Sequence, residues 1–210
     1  MNILNSLEWR YATKKFDPSK KLSDQQIETL KKAFNLTATS FGLQPLKLVV
    51  IQNKELQEKF VEASYFQRQV ADASHLLVLC IENNTTTDDI KAYFDLEIKT
   101  RGTSEEVVST FRDQLIGMYK NKSVEEIQLS AKHQAYITLG NLMTVCAVEK
   151  IDACPMEGFV PDKVDELLNL NALNLKSVLL LPVGFRAEDD VMNGLKKVRK
   201  PLSETVLEIQ

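Results

Sequence analysis

The segment that most constrains this fold begins at a helix start signal and runs from Ser123 to about Lys150. A serine cap with Glu126 three residues later forms a capping box, which predicts that a helix begins here. Residues 135–148 are apolar nearly all round, which predicts a central, buried helix. Such a helix can pack only in the core or can also form a subunit contact, and the sequence leaves both open.

Apolar runs elsewhere in the chain predict a sheet. Residues 76–81 form a continuous apolar run, which is typical of a strand buried on both faces. Residues 46–52 and 177–184 predict two further strands, and Pro182 suggests that the second ends there or lies at an edge. A second capping box, starting at Ser23, predicts another helix. The alternation indicates helices packed over a sheet.

The length of 210 residues suits one domain with a substantial core. There is no internal repeat, low-complexity tract or Pro/Ser-rich linker. Residues 87–122 are helical by pattern, are interrupted at Gly102, and extend between two central elements. We therefore predict a single domain, residues 1–210, with a helical excursion at about residues 87–122.

Charge and composition exclude several classes of protein. The net charge of −3 gives no reason to expect nucleic acid or an anionic membrane as a partner. No run reaches the roughly 18 apolar residues of a membrane span, and no signal peptide is recognisable, so we expect a cytoplasmic protein. Cys80, Cys146 and Cys154 form no metal spacing and are expected to be buried free thiols. His75 and His133 have no companion at ligand spacing, so no metal site is expected.

If the chain binds a phosphate, side-chain cations must do most of the binding. The seven glycines form neither G-x-G-x-x-G nor a P-loop, so a glycine-cradled phosphate is not expected. If a phosphate binds, the candidates are Arg10 with Lys14 and Lys197 with Arg199. Arginine can hold a phosphate through two parallel hydrogen bonds, whereas lysine acts as a compact charge. Solvated basic surface is the alternative for each pair.

At this point the motifs carry a resemblance. In order and spacing, the chain resembles the oxygen-insensitive nitroreductase family, flavoproteins that bind FMN and use NADH or NADPH. The first matching segment, residues 10–17, resembles the R-x-S-x-K-x-F motif of the family. The others are residues 39–45, 72–75 with the strand that follows, 155–159 and 197–201. The resemblance implies an α+β, nitroreductase-like (FMN-dependent) fold: a central mixed sheet flanked by helices, with a C-terminal strand exchanged between the protomers of a dimer.

The resemblance also implies a set of cofactor contacts. Phosphate would be held by Arg10, Lys197 and Arg199, while Lys14 would stabilise the reduced ring near its N1 and C2 edge. Glu157 would lie near N5, the atom that exchanges hydride, and it would support the transfer together with Lys14. No side chain is expected to be an obligatory catalyst. The implied FMN-binding residues are Arg10, Tyr11, Ala12, Lys14, Thr39, Ser40, Gly42, Gln67, Pro155, Met156, Glu157, Gly158, Lys197 and Arg199.

A homodimer is implied as well, with the site at its interface. Thr39, Ser40 and Gly42 would come from the neighbouring subunit, and residues 205–209 would add a strand to the sheet of the partner. Small, flat aromatic acceptors would bind over the ring. The residues expected to contact them are Phe41, Gln69 and Leu115.

Some positions depart from the family pattern. Ala12 stands where a serine is usual, and Gly42 stands where an asparagine is usual. Gln67 is the expected substitute for an asparagine facing the flavin, with Phe66 as the alternative. Gln69 falls where a lysine would lie, which leaves the choice between NADH and NADPH open.

The function expected from this resemblance is two-electron reduction of nitroaromatics or quinones by a ping-pong mechanism. One alternative is another branch of the same fold, such as a flavin reductase or a reductive dehalogenase. Another is a protein that binds flavin without turnover. A third is an α/β ligand-binding module with no flavin.

Overall fold

The computed structural model of the chain describes residues 2–209. The helices are α1 (Ile3–Trp9), α2 (Asp24–Asn35), α3 (Lys54–Ala63), α4 (Gln69–Asp72), α5 (Thr87–Arg101), α6 (Glu105–Lys120), α7 (Val124–Val148), α8 (Pro161–Leu167) and α9 (Leu202–Thr205). The strands are β1 (Leu46–Ile51), β2 (His75–Glu82), β3 (Asp152–Ala153) and β4 (Leu175–Gly184). Short 3₁₀ turns occupy Ser40–Gly42 and Leu170–Leu173.

The four strands form one sheet in the order β1-β2-β4-β3. All three named strand pairs are antiparallel, and the parallel component of the expected mixed sheet is an isolated bridge between Ala12 and Ala153. Pro182 lies near the end of β4, two residues before its last residue, although β4 itself is an inner strand. Its carbonyl accepts a hydrogen bond of 3.1 Å from the amide of Cys154.

The predicted burial of β2 on both faces is confirmed. Alternate side chains of a strand point to opposite faces. Leu77, Leu79 and Ile81 join a core shared with α2 and α7, whereas Leu76 and Val78 join a second core with residues of α3 and α8. Because both faces are covered by helices, the strand can be apolar throughout.

The predicted helix starts at Ser23 and Ser123 are also confirmed, and both are capping boxes. The expectation that residues 135–148 are buried all round is wrong for a single chain. One face of α7 packs on the sheet, but Tyr136 and Ile137 are about half exposed on the other, at 45% and 53%. Packing in the core therefore accounts for only one face of α7, and the second of the two readings, a contact with another chain, stays a prediction.

Helices α5 and α6 pack against each other around a small apolar cluster of their own. Ile90 and Phe94 of α5 meet Val108, Leu115 and Ile116 of α6 in this cluster. The turn between the helices begins at Gly102, which takes a left-handed φ of 70° and ends α5.

The three cysteines are free and buried, as predicted. Burial raises the pKa of Cys80 and of Cys146 to about 12, so these thiols stay protonated at neutral pH. Within residues 2–209, no helix combines the length and apolarity needed to cross a membrane. The same residues contain no cluster of His, Cys, Asp and Glu suited to a metal ion.

Candidate functional site

The basic segment that follows α1 is fixed along the end of the sheet by backbone hydrogen bonds. The amide of Thr13 donates to the carbonyl of Ala153 at 3.3 Å, and the amide of Asp17 donates to Phe185 at 2.8 Å. The carbonyl of Lys15 in turn accepts from Ala187 at 2.9 Å. Residues 12–17 therefore run beside β3 and the chain that leaves β4, which holds their side chains in defined positions.

A buried ion pair closes one side of this region. Arg186 donates from Nε to Asp152 at 2.6 Å, and its backbone amide donates to the other carboxylate oxygen at 2.9 Å. Its guanidinium lies 4.4 Å from the ring centroids of both Trp9 and Tyr11. Lys150 covers the Trp9 ring as well, at 4.6 Å. Arg186 thus neutralises Asp152, so that this carboxylate is not a partner for the other cations nearby.

A second buried carboxylate, Asp190, binds backbone rather than a cation. Only 4% of this residue is exposed. One oxygen accepts from the amides of Lys14 and Lys15 at 2.8 and 2.9 Å, and the other accepts from Met192 at 2.8 Å. Burial by itself would raise the pKa of Asp190, but these hydrogen bonds, with a contribution from the nearby hydroxyl of Tyr11, outweigh it and hold the pKa below its ordinary value.

Arg10, Lys197 and Arg199 come together at one cleft, although 187 positions separate Arg10 from Lys197. The cleft has a volume of about 1030 Å³ and is also lined by Trp9 and Tyr11. Burial and the charge of Arg199 lower the pKa of Arg10, and burial together with both arginines lowers the pKa of Lys197. In the described part of the chain, none of the three cations forms an ion pair. The cleft is therefore lined by three positive charges that are not paired with a carboxylate of the described residues.

Lys14 lies near Cys154, the residue before the segment 155–158. Its side chain is exposed, while its backbone is held by Asp190. Burial raises the pKa of Cys154, and the charges of Lys14 and Arg10 partly oppose that rise, so both cations lie near the residue that precedes Pro155. The ammonium of Lys14 has no ion-pair partner among residues 2–209.

The segment 155–158 is held from two sides. The backbone of Met156 exchanges two hydrogen bonds with Leu180, at 2.8 and 3.0 Å, and its side chain is buried. Gln67 donates to the carbonyl of Gly158 at 3.0 Å, and a Cβ on Gly158 would lie only 3.0 Å from the Gln67 amide nitrogen. Glu157 is exposed between these anchors. Gln67 therefore lies against this segment, whereas Phe66 is 76% exposed and turns outward.

Thr39 and the turn Ser40–Gly42 that follows it do not line the cleft of the three cations. Thr39 lines a cavity of about 360 Å³ beside β1 and α2, and none of the three clustered cations lines that cavity. The Ser40 amide is anchored by Gln134 of α7 at 2.9 Å. Within one chain, the residues expected to bind the cofactor therefore fall into two separate groups.

Gly42 in this turn is constrained by α5. It has a φ of 74°, and a Cβ there would lie 2.6 Å from the hydroxyl of Tyr93. We expect Gly42→Ala to lower the free energy of unfolding by more than the about 1–2 kcal/mol of left-handed strain alone, because the tyrosine must also move. Gly102→Ala is the matched control, since φ is 70° and nothing lies within 4 Å. Urea unfolding of both variants measures the difference, and equal losses would refute the contact.

The three expected acceptor contacts differ in exposure. Phe41 is 40% exposed, with a strained φ of 58°. Leu115 is fully buried between α5 and α6, and Gln69 is buried at the start of α4, so neither presents a surface to an acceptor in this chain. Sequence reasoning missed Phe111, one helical turn before Leu115, which is 46% exposed with its ring centroid 6.1 Å from that of Phe41. The available signal in the sequence was its position four residues before Leu115, which puts both side chains on nearby parts of α6.

Comparison with known proteins identifies the relatives of this chain. The model of the Nitroreductase family matches residues 7–185. A protein of Staphylococcus haemolyticus named as a proposed NAD(P)H nitroreductase is 31% identical over 214 residues, covering 97% of this chain and 95% of the relative. A nitroreductase-like protein from Streptococcus mutans has the same fold, with a TM-score of 0.86 at 23% identity over 99% of this chain and 98% of the other. A proposed nitroreductase from Exiguobacterium sibiricum, solved in complex with FMN, superposes with a TM-score of 0.87 at 20% identity over 100% and 98% of the two chains.

Proposed function

The chain belongs to the nitroreductase family, and we propose that it is an FMN-dependent oxidoreductase that uses NADH or NADPH. Its acceptors are small, flat aromatic compounds such as nitroaromatics and quinones. The observation that carries the proposal is the cleft where Arg10, Lys197 and Arg199 converge without an ion-pair partner in the described residues.

The cleft fits a phosphorylated cofactor in both charge and size. Small-molecule pockets typically measure about 300–1,000 Å³, and this one reaches about 1030 Å³. Holding three cations together without a counter-ion is unfavourable, and an anion that accepts from two guanidinium groups removes that cost. Arg10, Lys197 and Arg199 would hold the phosphate of FMN.

The rest of the site would serve the ring of FMN. FMN bound here supplies hydride transfer between reduced nicotinamide and the acceptor, in a ping-pong sequence. Lys14 would place a positive charge near the part of the ring where negative charge collects on reduction. The backbone of Met156, Glu157 and Gly158 would line the ring, and Gln67 holds Gly158 in place. No side chain acts as a nucleophile, and water supplies the protons.

Acceptor binding is proposed to rest on stacking. Phe41 and Phe111 leave part of their rings exposed, and the buried ring of Phe94 supports Phe111 from behind at 5.9 Å. Aromatic rings recognise flat molecules through their faces with few hydrogen bonds. We therefore expect broad acceptor use rather than a single substrate, with Phe111 taking the role first expected of Leu115.

The active form is proposed to be a homodimer, with the turn Ser40–Gly42 of one protomer completing the cleft of the other. The separation of the two groups within one chain supports this. So do the exposed apolar side chains of α1, α7 and the tail, with Leu207 and Ile209 exposed at 91% and 96%. Strand β1 pairs only with β2 among the described strands, so its other edge is free for residues 205–209 of a partner.

Dimerisation gives a direct prediction. Leu207→Asp should raise the dimer dissociation constant by about tenfold or more, because the interface would bury an unpaired carboxylate. Ser203→Asp adds the same charge to an exposed position in α9 and is the matched control. Light scattering behind a sizing column over a range of protein concentrations measures both variants. A monomer at all concentrations for the unmodified protein would overturn the homodimer.

The function is tested by anaerobic titration of the FMN-loaded protein with NADH and with NADPH, followed by visible absorbance. We expect the yellow colour to bleach and to return when menadione or nitrofurazone is added. A protein that stays colourless with FMN is a ligand-binding module of another kind, and one that is yellow but not bleached binds flavin without turnover. Faster reoxidation by free flavin than by quinones or nitroaromatics would favour a flavin reductase. Each of these three results contradicts the proposal.

A further inference from the structure

The buried carboxylate of Asp190 has partners that the proposed reaction does not explain. It is buried beside the basic segment, and its hydrogen bonds come from the backbone amides of Lys14, Lys15 and Met192 rather than from an ammonium or guanidinium group. The neighbouring Asp189 behaves differently, since its exposed carboxylate pairs with the ammonium of Lys15. The two adjacent carboxylates therefore have different partners. Asp189 pairs with a lysine side chain at the surface, whereas the buried Asp190 accepts hydrogen bonds from backbone amides.

These hydrogen bonds join the two segments that carry the cations. Lys14 and Lys15 belong to the basic segment after α1, and Met192 belongs to the chain that leads to Lys197 and Arg199. Since one oxygen accepts from two successive amides, the backbone direction at Lys14 is fixed where its side chain begins. The ammonium is left without a carboxylate partner in the described residues, so its charge stays available to a ligand.

We propose that Asp190 is a positioning residue that holds Lys14 against the ring of FMN and so raises the reduction potential of the bound cofactor. This inference rests on the proposed function. A negative charge by itself would lower the reduction potential of bound FMN, whereas the proposed role of Asp190 raises it. A carboxylate near the ring disfavours the reduced, anionic form, whereas a well-placed lysine favours it.

The opposite signs make the test sharp. If Asp190 acted only through its charge, Asp190→Asn would raise the potential of bound FMN. If it acts by positioning Lys14, the same substitution lowers the potential, because an amide cannot offer two acceptor oxygens to three amides and the lysine loses its fixed place. Asp189→Asn removes an equal charge one residue away, keeps the backbone contacts, and is the matched control.

The experiment measures the two-electron midpoint potential of bound FMN by equilibration with a reference dye, together with FMN affinity from the quenching of flavin fluorescence. We expect Asp190→Asn to reduce the preference for reduced over oxidised FMN about tenfold, which is about 30 mV for a two-electron couple. Asp189→Asn should leave the potential unchanged or slightly raised. In a Lys14→Met background, Asp190→Asn should no longer lower the potential.

A reduction potential that is unchanged or raised in Asp190→Asn overturns the inference. An equally large fall in potential when Asp190→Asn is made in the Lys14→Met background overturns it as well.

Asp190→Glu is the substitute if Asp190→Asn does not fold. It keeps the charge but moves the carboxylate by one methylene, so we expect it to lower the potential in the same way. Failure of the proposed function is recognised separately, because the unmodified protein would then bind no FMN or would not be reduced by either nicotinamide.

Discussion

Arg10→Ala should weaken FMN binding by roughly 10- to 150-fold. A hydrogen bond to a charged group contributes about 1.5–3 kcal/mol, and about 1.4 kcal/mol corresponds to a factor of ten in affinity. Arg10 is half-buried at the cleft, and burial together with Arg199 lowers its pKa, so a phosphate there meets a partly desolvated cation. The dissociation constant is measured by titrating the apoprotein with FMN and following fluorescence quenching.

The same substitution should leave the apoprotein at least as stable as before. The Arg10 guanidinium forms no ion pair within residues 2–209, and it lies near two other cations, so its removal relieves repulsion. Lys200→Ala is the control, since Lys200 is exposed beside Arg199 but does not line the cleft. An unchanged FMN affinity in Arg10→Ala, or an equal loss in Lys200→Ala, would remove the phosphate assignment.

Asp152→Asn should lower the free energy of unfolding by about 3–5 kcal/mol, the usual cost of removing one partner of a buried ion pair. Asp152 is 5% exposed and binds Arg186 through both oxygens, while the guanidinium is enclosed by Trp9 and Tyr11. The asparagine would leave Arg186 without its counter-charge. For a domain of this size the midpoint of thermal unfolding should fall by roughly 10 °C.

Two further variants decide whether the loss of stability comes from breaking the ion pair of Asp152 with Arg186. Asp152→Asn combined with Arg186→Met should cost less than Asp152→Asn alone, because no uncompensated charge then remains. Glu62→Gln breaks the exposed pair of Glu62 with Lys163, whose 2.6 Å separation is similar, and should cost less than about 1 kcal/mol. Equal losses for the buried and the exposed pair would contradict the prediction.

Local rules were enough for much of the fold. The helix starts at Ser23 and Ser123 depend on hydrogen bonds between residues three apart, so the sequence shows them directly. Pro161 opens α8 at its first helical position, for a similarly local reason. The continuous apolar run in β2 indicated a strand covered on both sides, and the two cores on its faces explain that run.

The residues that sequence reasoning missed share a cause. Asp190 and Asp152 look like ordinary acidic residues, because the partners that define their roles are distant in the chain. Lys14 and Lys15 lie 176 and 175 positions from Asp190, and Arg186 lies 34 positions from Asp152. Phe111 looked like one of several apolar residues in a helix until the packing of α6 against α5 turned Leu115 inward and left Phe111 at the surface. In each case the role depends on which face of a packed element the residue occupies.

Residue types and their short-range spacing were sufficient to predict the order of the elements and the absence of a glycine-built phosphate loop. They also carried the resemblance to one family. The meeting of Arg10 with Lys197 and Arg199, the use of Asp190 to bind backbone and the exposed face of α7 came only from the folded chain. Capping and periodicity act over a few residues, whereas the place where distant charges meet is set by the path of the chain around the sheet. That path depends on packing summed over the whole domain, which no short stretch of sequence contains.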